Sequence, residues 1–233
     1  MVAVQGRVVV VTGGRRGLGA ALVDEVLNRG AAKVYATARE PYTDARPAVV
    51  TEVLDVRSEA SVSSLARRAS DADILINNAG ILIPAPLLTG AVADVAETFD
   101  VNALGPLRVA TAFAPIVGRG GGGAIVNVLS VLSWLSGSGA YGASKAAMWS
   151  LTNSLRDELA AQQTQVLGVH AGFLDTDMVA AINVPKTPPA VAAARIIDAL
   201  ESGAAEVLID DASVAAKAAL SGPVENLSIS LPG

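Results

Sequence analysis

The chain has no cysteine and a single histidine among its 233 residues. Disulfide bonds and thiolate metal sites are therefore excluded, and so is a metal site built from several histidines of one chain. Aromatic residues make up only 3% of the sequence, although 52% of it is hydrophobic. We therefore expect a core built from Ala, Val, Leu and Ile.

Long apolar runs and basic clusters are also missing. No hydrophobic stretch approaches the length of a membrane span, and the start lacks a basic segment followed by a long apolar one. The formal net charge is −5, and the basic residues are scattered without interleaved aromatics, which argues against a nucleic-acid surface. We expect a cytoplasmic protein that binds neither membrane nor nucleic acid.

Short β-branched runs alternate with longer Ala-rich stretches of helical period. This alternation predicts right-handed crossovers and a parallel sheet with helices on both faces. Strands are predicted at 8–12, 33–37, 50–54, 74–77, 124–128, 166–170 and 207–209, and helices near 18–29, 59–69, 91–117, 140–161 and 189–202. The predicted fold class is α/β, a doubly wound, Rossmann-like parallel sheet of about seven strands. It is expected to form one domain over residues 1–233, with a substrate loop at 174–190.

Three glycines, Gly13, Gly17 and Gly19, follow the first strand and open the first helix. Glycine permits a tight turn, and the free N–H groups of a helix N-terminus bind anions such as phosphate. A plain glycine-rich turn is the alternative interpretation. The spacing is Gly-x-x-x-Gly-x-Gly, which differs from the commonest dinucleotide fingerprint, Gly-x-Gly-x-x-Gly.

Arginines near the ends of the first two strands indicate which dinucleotide is bound. An NAD site favours an acidic residue after the second strand, but Ala38 stands there and Arg39 follows it. Arg16 and Arg39 can together pair the 2′-phosphate of NADP, since guanidinium groups match phosphate oxygens. Glu40 is close enough to contact the ribose instead. Two arginines from separate turns outweigh it, so NADP is the expected cofactor.

Three further segments carry polar groups to the carboxyl ends of later strands, where open α/β sheets bind ligands. The fourth strand ends in NNAG at 77–80, and the fifth is followed by Ser130. Tyr141 and Lys145, four residues apart, open the next helix. Residues at this spacing share one helix face and reach a common ligand.

Together these motifs resemble the short-chain dehydrogenase/reductase family, of the single-domain type. The matching segments, in the family's order, are TGGRRGLG at 12–19, NNAG at 77–80, DVNALG at 100–105, Ser130, YGASK at 141–145 and GFLDTDM at 172–178. The resemblance implies an NADP(H)-dependent oxidoreductase that interconverts a ketone or aldehyde and its alcohol. It also implies four catalytic residues, Asn102, Ser130, Tyr141 and Lys145.

Each catalytic role has a physical argument. Tyr141 would be the general acid, and we expect the Lys145 ammonium and the positive nicotinamide ring to lower the pKa of its phenol. Ser130 would bind the carbonyl and stabilise the developing oxyanion. By resemblance, Asn102 would hold a water of a proton relay, and Lys145 would bind the nicotinamide ribose. Ser133 and Ser136 remain rivals of Ser130, because the eleven-residue spacing from Ser130 to Tyr141 is shorter than is usual in the family.

The wider binding site also follows from the resemblance. The cofactor-binding residues are expected to be Gly13, Arg15, Arg16, Gly17, Leu18, Gly19, Arg39, Asp55, Val56, Asn78, Ala79, Gly80, Tyr141, Lys145, Gly172 and Thr176. The substrate residues are expected to be Ser130, Trp134, Tyr141 and Phe173, in a cleft whose apolar lining favours a non-acidic carbonyl compound. No metal is expected.

Some residues receive a structural interpretation instead. Thr12 and Asn77 are interpreted as scaffold residues and His170 as a packing residue. Ala171 stands where the family usually has proline before Gly172, which predicts a looser loop on the nicotinamide side.

Two other functions and an assembly are also considered. The fold can support a catalytically idle dinucleotide-binding or sensing protein, or a lyase, epimerase or dehydratase, which usually needs a longer substrate domain. The family pairs the helices at about 102–117 and 140–161 across a two-fold axis, so a homodimer or homotetramer is expected. Phe113, Met148 and Trp149 are candidate contacts, unless they face their own sheet.

Overall fold

Seven strands form one parallel sheet in the computed structural model, which describes residues 1–84 and 86–228. The strands are β1 (Val8–Val11), β2 (Lys33–Ala38), β3 (Val49–Val53), β4 (Ile74–Asn77), β5 (Ala124–Val128), β6 (Gln165–His170) and β7 (Glu206–Leu208). Their order across the sheet is β3-β2-β1-β4-β5-β6-β7. The direction of winding reverses between β1 and β4, and open α/β sheets bind ligands at such a reversal. The predicted domain of residues 1–233 also includes residues 85 and 229–233, which lie outside the described part.

Seven α-helices connect or follow these strands within the described residues. They are α1 (Gly17–Asn28), α2 (Glu59–Arg68), α3 (Val92–Phe99), α4 (Gly105–Val117), α5 (Gly139–Glu158), α6 (Pro189–Glu201) and α7 (Asp211–Ala219). Helices α1 and α6 cover one face of the sheet, and α2, α4 and α5 cover the other. The predicted doubly wound fold is therefore confirmed. No helix in the described part of the chain is long and apolar enough to cross a membrane.

The apolar run of β1 shows why this sheet needs two helical layers. Side chains of a strand alternate between its two faces. Val11 therefore packs in the same cluster as Leu22 of α1, while Val10 joins Phe113 of α4 on the opposite face. All four side chains are fully buried. A strand that is apolar on both faces is typical of a parallel sheet covered on both sides.

The helix predicted at 91–117 is in fact divided. A π-helical turn, Asp100–Leu104, separates α3 from α4 and turns the Asn102 side chain into the protein interior. Helix α4 then packs closely on the segment after β3, because a Cβ at Gly105 would come 2.7 Å from Val56 Cγ2. Single π-helical turns inside α-helices often mark functional sites, and apolar periodicity does not reveal them.

The proposed interface residues are only partly available. Phe113 and Met148 are buried in the core of their own chain, beneath α4 and α5. These two side chains therefore cannot supply the contacts expected of them. Trp149 is partly buried, and the exposed positions of α5 include Ala143 and Ser150. The expected oligomer stays a prediction.

Helix α7 was not predicted from the sequence. Its first turn is capped by Asp210, whose Oδ1 accepts hydrogen bonds from the Ser213 backbone N–H and hydroxyl, both at 2.8 Å. Asp210 Oδ2 accepts a third bond, from the Gly172 backbone N–H at 2.6 Å. One carboxylate therefore joins the last helix to the loop after β6.

Replacing Asp210 with alanine is expected to lower the free energy of unfolding by about 1–3 kcal/mol, because a helix cap is lost and the Gly172 N–H loses its acceptor. Urea denaturation measures the change. The matched control is Asp211→Ala, since Asp211 is adjacent, exposed and without these bonds. Equal stability of the two variants would contradict the assigned role.

Candidate active site

The glycine loop between β1 and α1 forms one wall of a cleft at the carboxyl edge of the sheet. Gly13 and Gly17 have left-handed backbone conformations, with φ of 69° and 56°. A Cβ at Gly13 would come 3.2 Å from Ala79 Cα, and a Cβ at Gly19 would overlap the Gly13 carbonyl oxygen. No side chain of the described residues caps the start of α1, so its first N–H groups are available to an anion. These features fit a dinucleotide pyrophosphate.

The turn after β4 is tied to this loop through Thr12. The Thr12 hydroxyl accepts hydrogen bonds from the backbone N–H groups of Asn78 (2.9 Å) and Ala79 (3.0 Å). The Asn78 amide in turn donates to the Thr12 carbonyl at 3.0 Å. Asn77 points the other way and donates to Asn127 Oδ1 at 3.0 Å inside the core. Thr12 and Asn77 therefore hold the scaffold on which the Asn78–Gly80 turn lies.

The arginines of the two turns have different surroundings. The Arg15 guanidinium carbon lies 5.8 Å from the ring centroid of Tyr42, in the segment that follows β2. The Arg16 guanidinium lies 3.6 Å from the Asp177 carboxylate on the substrate loop, and both side chains are highly exposed. Arg39 follows β2 and is also exposed. Exposed ion pairs are weak, so Arg16 is free to exchange Asp177 for another anion.

Other predicted cofactor residues lie around the same edge. Asp55 holds Arg57 in an ion pair at 2.9 Å, and Arg57 thereby lowers the pKa of the Asp55 carboxyl, with Arg39 adding to the effect. Val56 is buried against α4, and Leu18 is buried at the start of α1. The structure therefore places Asp55 and Val56 beside the end of β3.

The structure brings Ser130, Tyr141 and Lys145 together beyond the end of β5. Ser130 adjoins Tyr141, and its hydroxyl acts to lower the pKa of the Tyr141 phenol. Ser130 Oγ accepts the Leu132 backbone N–H at 3.1 Å. Lys145 lies one helical turn from Tyr141 and donates from Nζ to the Val128 carbonyl at 2.8 Å. Its Nζ is 5.8 Å from the Tyr141 ring centroid.

Burial sets the protonation of this pair. It raises the pKa of Tyr141 to about 12, while the hydrogen bond from Ser130 acts in the opposite direction. Burial also lowers the pKa of Lys145 to about 8. Without a bound cofactor, desolvation therefore outweighs the effect of Ser130, and the lowering expected from Lys145 together with the nicotinamide ring stays a prediction. At neutral pH Tyr141 is a phenol and carries a proton to donate.

Asn102 faces the same region from the π-helical turn. Its side-chain amide pairs with both backbone groups of Ile81, accepting from the N–H and donating to the carbonyl at 2.9 Å each. It also donates to Ser144 Oγ at 3.2 Å. A Cβ at Gly80 would come 3.2 Å from Asn102 Oδ1 and 3.8 Å from Lys145 Nζ. Asn102 therefore fixes the strand-end turn next to Lys145.

The substrate side differs from the sequence-based expectation at one residue. Trp134 is only 7% exposed and packs behind the Ser130 turn, so its indole has little surface to offer a substrate. Phe173 is partly exposed. Ser133 is buried, and Ser136 is exposed and forms a backbone bridge with Ser228. Of the three serines, only Ser130 acts on the pKa of Tyr141.

The loop after β6 returns to the glycine loop. A Cβ at Gly17 would come 3.2 Å from Thr176 Cγ2, so Thr176 lies directly over the glycine turn. The base of the loop is closed by paired backbone bonds between Phe173, Asp175 and Thr187. Asp210 holds its first residue, Gly172, as described above. The looser loop expected from Ala171 is therefore countered by the bond from Gly172 to Asp210. The sequence analysis did not identify Asp210. Its position three residues before Ser213 is a helix-capping signal that could have identified it.

The buried charge of Lys145 predicts a pH-dependent stability. An ordinary lysine has a pKa of about 10.4, so the folded protein binds the Lys145 proton less tightly than the unfolded chain does. The resulting penalty on folding is fully present below about pH 8 and is relieved as the pH rises toward about 10. Wild type should therefore gain about 1–3 kcal/mol of unfolding free energy relative to Lys145→Met between about pH 7.5 and pH 10. Urea denaturation without cofactor tests this, and a constant difference would contradict it.

Comparison with known proteins agrees with this geometry. A family profile described as short chain dehydrogenase matches residues 7–187. A crystal structure of a short chain dehydrogenase from Burkholderia cenocepacia J2315, in complex with NADP, is 36% identical with a TM-score of 0.91 and covers 97% of each chain. A 3alpha-hydroxysteroid dehydrogenase of Mediterraneibacter gnavus is 31% identical over 205 residues, 80% of this chain and 81% of the relative. A 2-dehydro-3-deoxy-D-gluconate 5-dehydrogenase of Formosa agariphila is 31% identical over 200 residues, 79% and 76% of the two chains. The chain belongs to the short-chain dehydrogenase/reductase family of oxidoreductases.

Proposed function

We propose that this protein interconverts a carbonyl compound and its alcohol, with NADP(H) as the hydride carrier and Tyr141 as the general acid and base. The observation that carries the proposal is the grouping of Ser130 beside Tyr141, with Lys145 one helical turn away and its Nζ 5.8 Å from the Tyr141 ring centroid. A proton donor and an oxyanion-binding hydroxyl thus point at one place beside the glycine loop.

The roles of the side chains follow from that arrangement. When bound, the nicotinamide supplies the hydride to the carbonyl carbon. Tyr141 gives its proton to the carbonyl oxygen, and Ser130 donates a hydrogen bond to the same oxygen as negative charge develops there. The Lys145 ammonium stabilises the phenolate that remains. Asn102 fixes the turn beside Lys145, along the route by which solvent returns the proton.

The preference for NADP rests on cations at the ends of β1 and β2. Arg16 and Arg39 are the proposed partners of the 2′-phosphate. Arg15 is a third cation, and its guanidinium lies 5.8 Å from the ring centroid of Tyr42, in the segment after β2. The NADP complex of the Burkholderia cenocepacia relative, 36% identical, supports this choice. The partly buried residues around the cleft, including Ile81, Leu132 and Phe173, favour an apolar ketone or aldehyde.

The cofactor preference is expected to be at least tenfold in favour of NADPH, because each charge-assisted phosphate contact contributes roughly 1.5–3 kcal/mol. Arg39→Asp should erase or reverse the preference. Binding of NADPH and NADH is measured by fluorescence titration. The control is Arg67→Asp, which makes the same charge change at an exposed position of α2. Equal affinity of the wild-type protein for both cofactors would overturn the assignment.

The reaction itself is tested with a panel of ketones, aldehydes and alcohols while the absorbance of NADPH is followed. Consumption of NADPH with apolar ketones or aldehydes, and its formation with the matching alcohols, is the expected result. Tight NADPH binding without turnover on any member of the panel would favour the idle dinucleotide-binding alternative.

A further inference from the structure

The chain's single histidine lies directly behind Ser130. His170 is the last residue of β6 and is fully buried. Its Nδ1 is 3.1 Å from the carbonyl oxygen of Ser130. A carbonyl oxygen only accepts hydrogen bonds, so Nδ1 carries the proton and donates it.

The other ring nitrogen is left as an acceptor. Among the residues that the structure describes, Nε2 of His170 has no hydrogen-bond partner. Glu206 Oε1 lies 3.6 Å from it, and the Glu206 carboxylate is held by the Lys217 ammonium at 2.8 Å. Burial, with smaller contributions from Lys217 and Lys145, lowers the pKa of His170 to about 4, although the bond to the Ser130 carbonyl and the Glu206 carboxylate act in the opposite direction. The imidazole is therefore neutral at physiological pH.

The ring is also clamped in one orientation. It stacks on Trp134, with centroids 3.8 Å apart and planes 18° from parallel. Trp149 meets it edge-on, with a centroid distance of 6.5 Å. The Lys217 Nζ lies 5.0 Å from the Trp134 ring centroid. The indole that the sequence assigned to the substrate thus serves to hold His170.

The backbone around Ser130 shows what this hydrogen bond adds. The residues on either side are bonded to the β6 end, Leu129 N–H to the Val169 carbonyl at 2.8 Å and Val131 N–H to the Ala171 carbonyl at 2.9 Å. The carbonyl of Ser130 itself has two partners, the Ser133 backbone N–H at 3.0 Å and the His170 side chain, and only the second ties it to β6. A short helical turn, Val131–Ser133, begins immediately after it.

We propose that His170 is a positioning residue, whose Nδ1–H bond to the Ser130 carbonyl holds the peptide from which the Ser130 hydroxyl reaches Tyr141. This inference rests on the proposed function, since it assigns His170 an effect on turnover through Ser130. It changes the interpretation of His170 from packing to orientation of an oxyanion-binding group.

Substitutions at position 170 separate orientation from packing. His170→Leu leaves the Ser130 carbonyl with the Ser133 N–H alone and removes its tie to β6, so this variant should lower kcat about tenfold. His170→Asn places an amide N–H where Nδ1 lies and should retain most of the turnover. His170→Gln reaches the Nε2 position instead and should behave like the leucine variant. Rescue by glutamine and not by asparagine, at equal thermal stability, would overturn the inference.

A double-mutant cycle tests whether the effect passes through Ser130. In a Ser130→Ala background, His170→Leu should reduce kcat no further, because there is no hydroxyl left to orient. NADPH affinity should stay unchanged in every variant. Losses that multiply in the double variant would show that His170 acts independently of Ser130.

One measurement is independent of turnover and of whether the leucine variant folds. With one histidine in the chain, a ¹⁵N NMR spectrum of the wild-type protein reports the imidazole without ambiguity. The expected result is a neutral ring protonated at Nδ1, without titration between about pH 5.5 and 8. A ring protonated at Nε2, or one that titrates in that range, would overturn the inference. Failure of the proposed function is distinct, because the wild-type protein would then oxidise or reduce no substrate while the NMR result still stood.

Discussion

Replacing Tyr141 with phenylalanine is expected to lower kcat for carbonyl reduction by roughly a hundredfold or more, the scale of a positioned proton transfer. The substitution removes only the phenol hydroxyl, which adjoins Ser130. The ring packing and the glycine loop are unchanged, so NADPH affinity should hardly change. Steady-state kinetics and cofactor titration on the same preparation measure the two quantities.

The chain offers a matched control for this experiment. Tyr35 is one of three tyrosines and lies in β2, where its hydroxyl contacts Asp71 and the Arg68 carbonyl away from the cleft. Tyr35→Phe removes the same atom and should leave kcat near the wild-type value. If Tyr141→Phe also keeps near-normal turnover on a proven substrate, the proton comes from another group and the proposed mechanism is wrong.

Replacing Lys145 with alanine is expected to reduce both turnover and cofactor binding. We expect kcat to fall by roughly a hundredfold, because the remaining phenolate loses its neighbouring cation. NADPH affinity should fall by about tenfold, since Lys145 is proposed to bind the nicotinamide ribose and a hydrogen bond from a charged group contributes roughly 1.5–3 kcal/mol. The pH optimum of alcohol oxidation should move upward, because Tyr141 must lose its proton in that direction without help from the ammonium.

The combination of effects distinguishes Lys145 from Tyr141. Lys33→Ala, at the amino end of β2 where Lys33 bonds to Asp71, provides a control for removal of a lysine outside the predicted site. Unchanged NADPH affinity in Lys145→Ala would contradict the ribose contact. An unchanged pH profile of alcohol oxidation would contradict the electrostatic role toward Tyr141.

The fold was largely predictable because its signals are local. Runs such as Val8–Val11 are apolar on both faces, and this pattern is typical of a strand that is covered on both sides. The glycines after β1 are needed because a side chain at these positions would clash with the backbone. A Cβ at Gly19, for example, would overlap the Gly13 carbonyl oxygen. The tie from Asp210 to Gly172 was missed because it joins residues 38 positions apart, whereas the cap from Asp210 to Ser213 is a local signal.

The candidate site was predictable in its residues and less so in its physics. Motif order places Ser130, Tyr141 and Lys145 at one edge of the sheet, and the structure groups them there, with Lys145 Nζ 5.8 Å from the Tyr141 ring centroid. Burial does not follow from a motif, so the raised pKa of Tyr141 was not foreseen. The inward position of Trp134 was also missed, because its partner His170 comes from a different strand and stacks on it only in the folded protein.

Transfer of deuterium from NADPH labelled at the nicotinamide C4 position tests the central claim most directly. The wild-type protein should convert a carbonyl substrate of the panel into an alcohol that carries one deuterium at the former carbonyl carbon, as mass spectrometry would show. Tyr141→Phe should give the same labelled product at a much lower rate, because it lacks only the proton donor. An alcohol formed without deuterium from either labelled face of NADPH, or no alcohol from any carbonyl compound, would contradict the account.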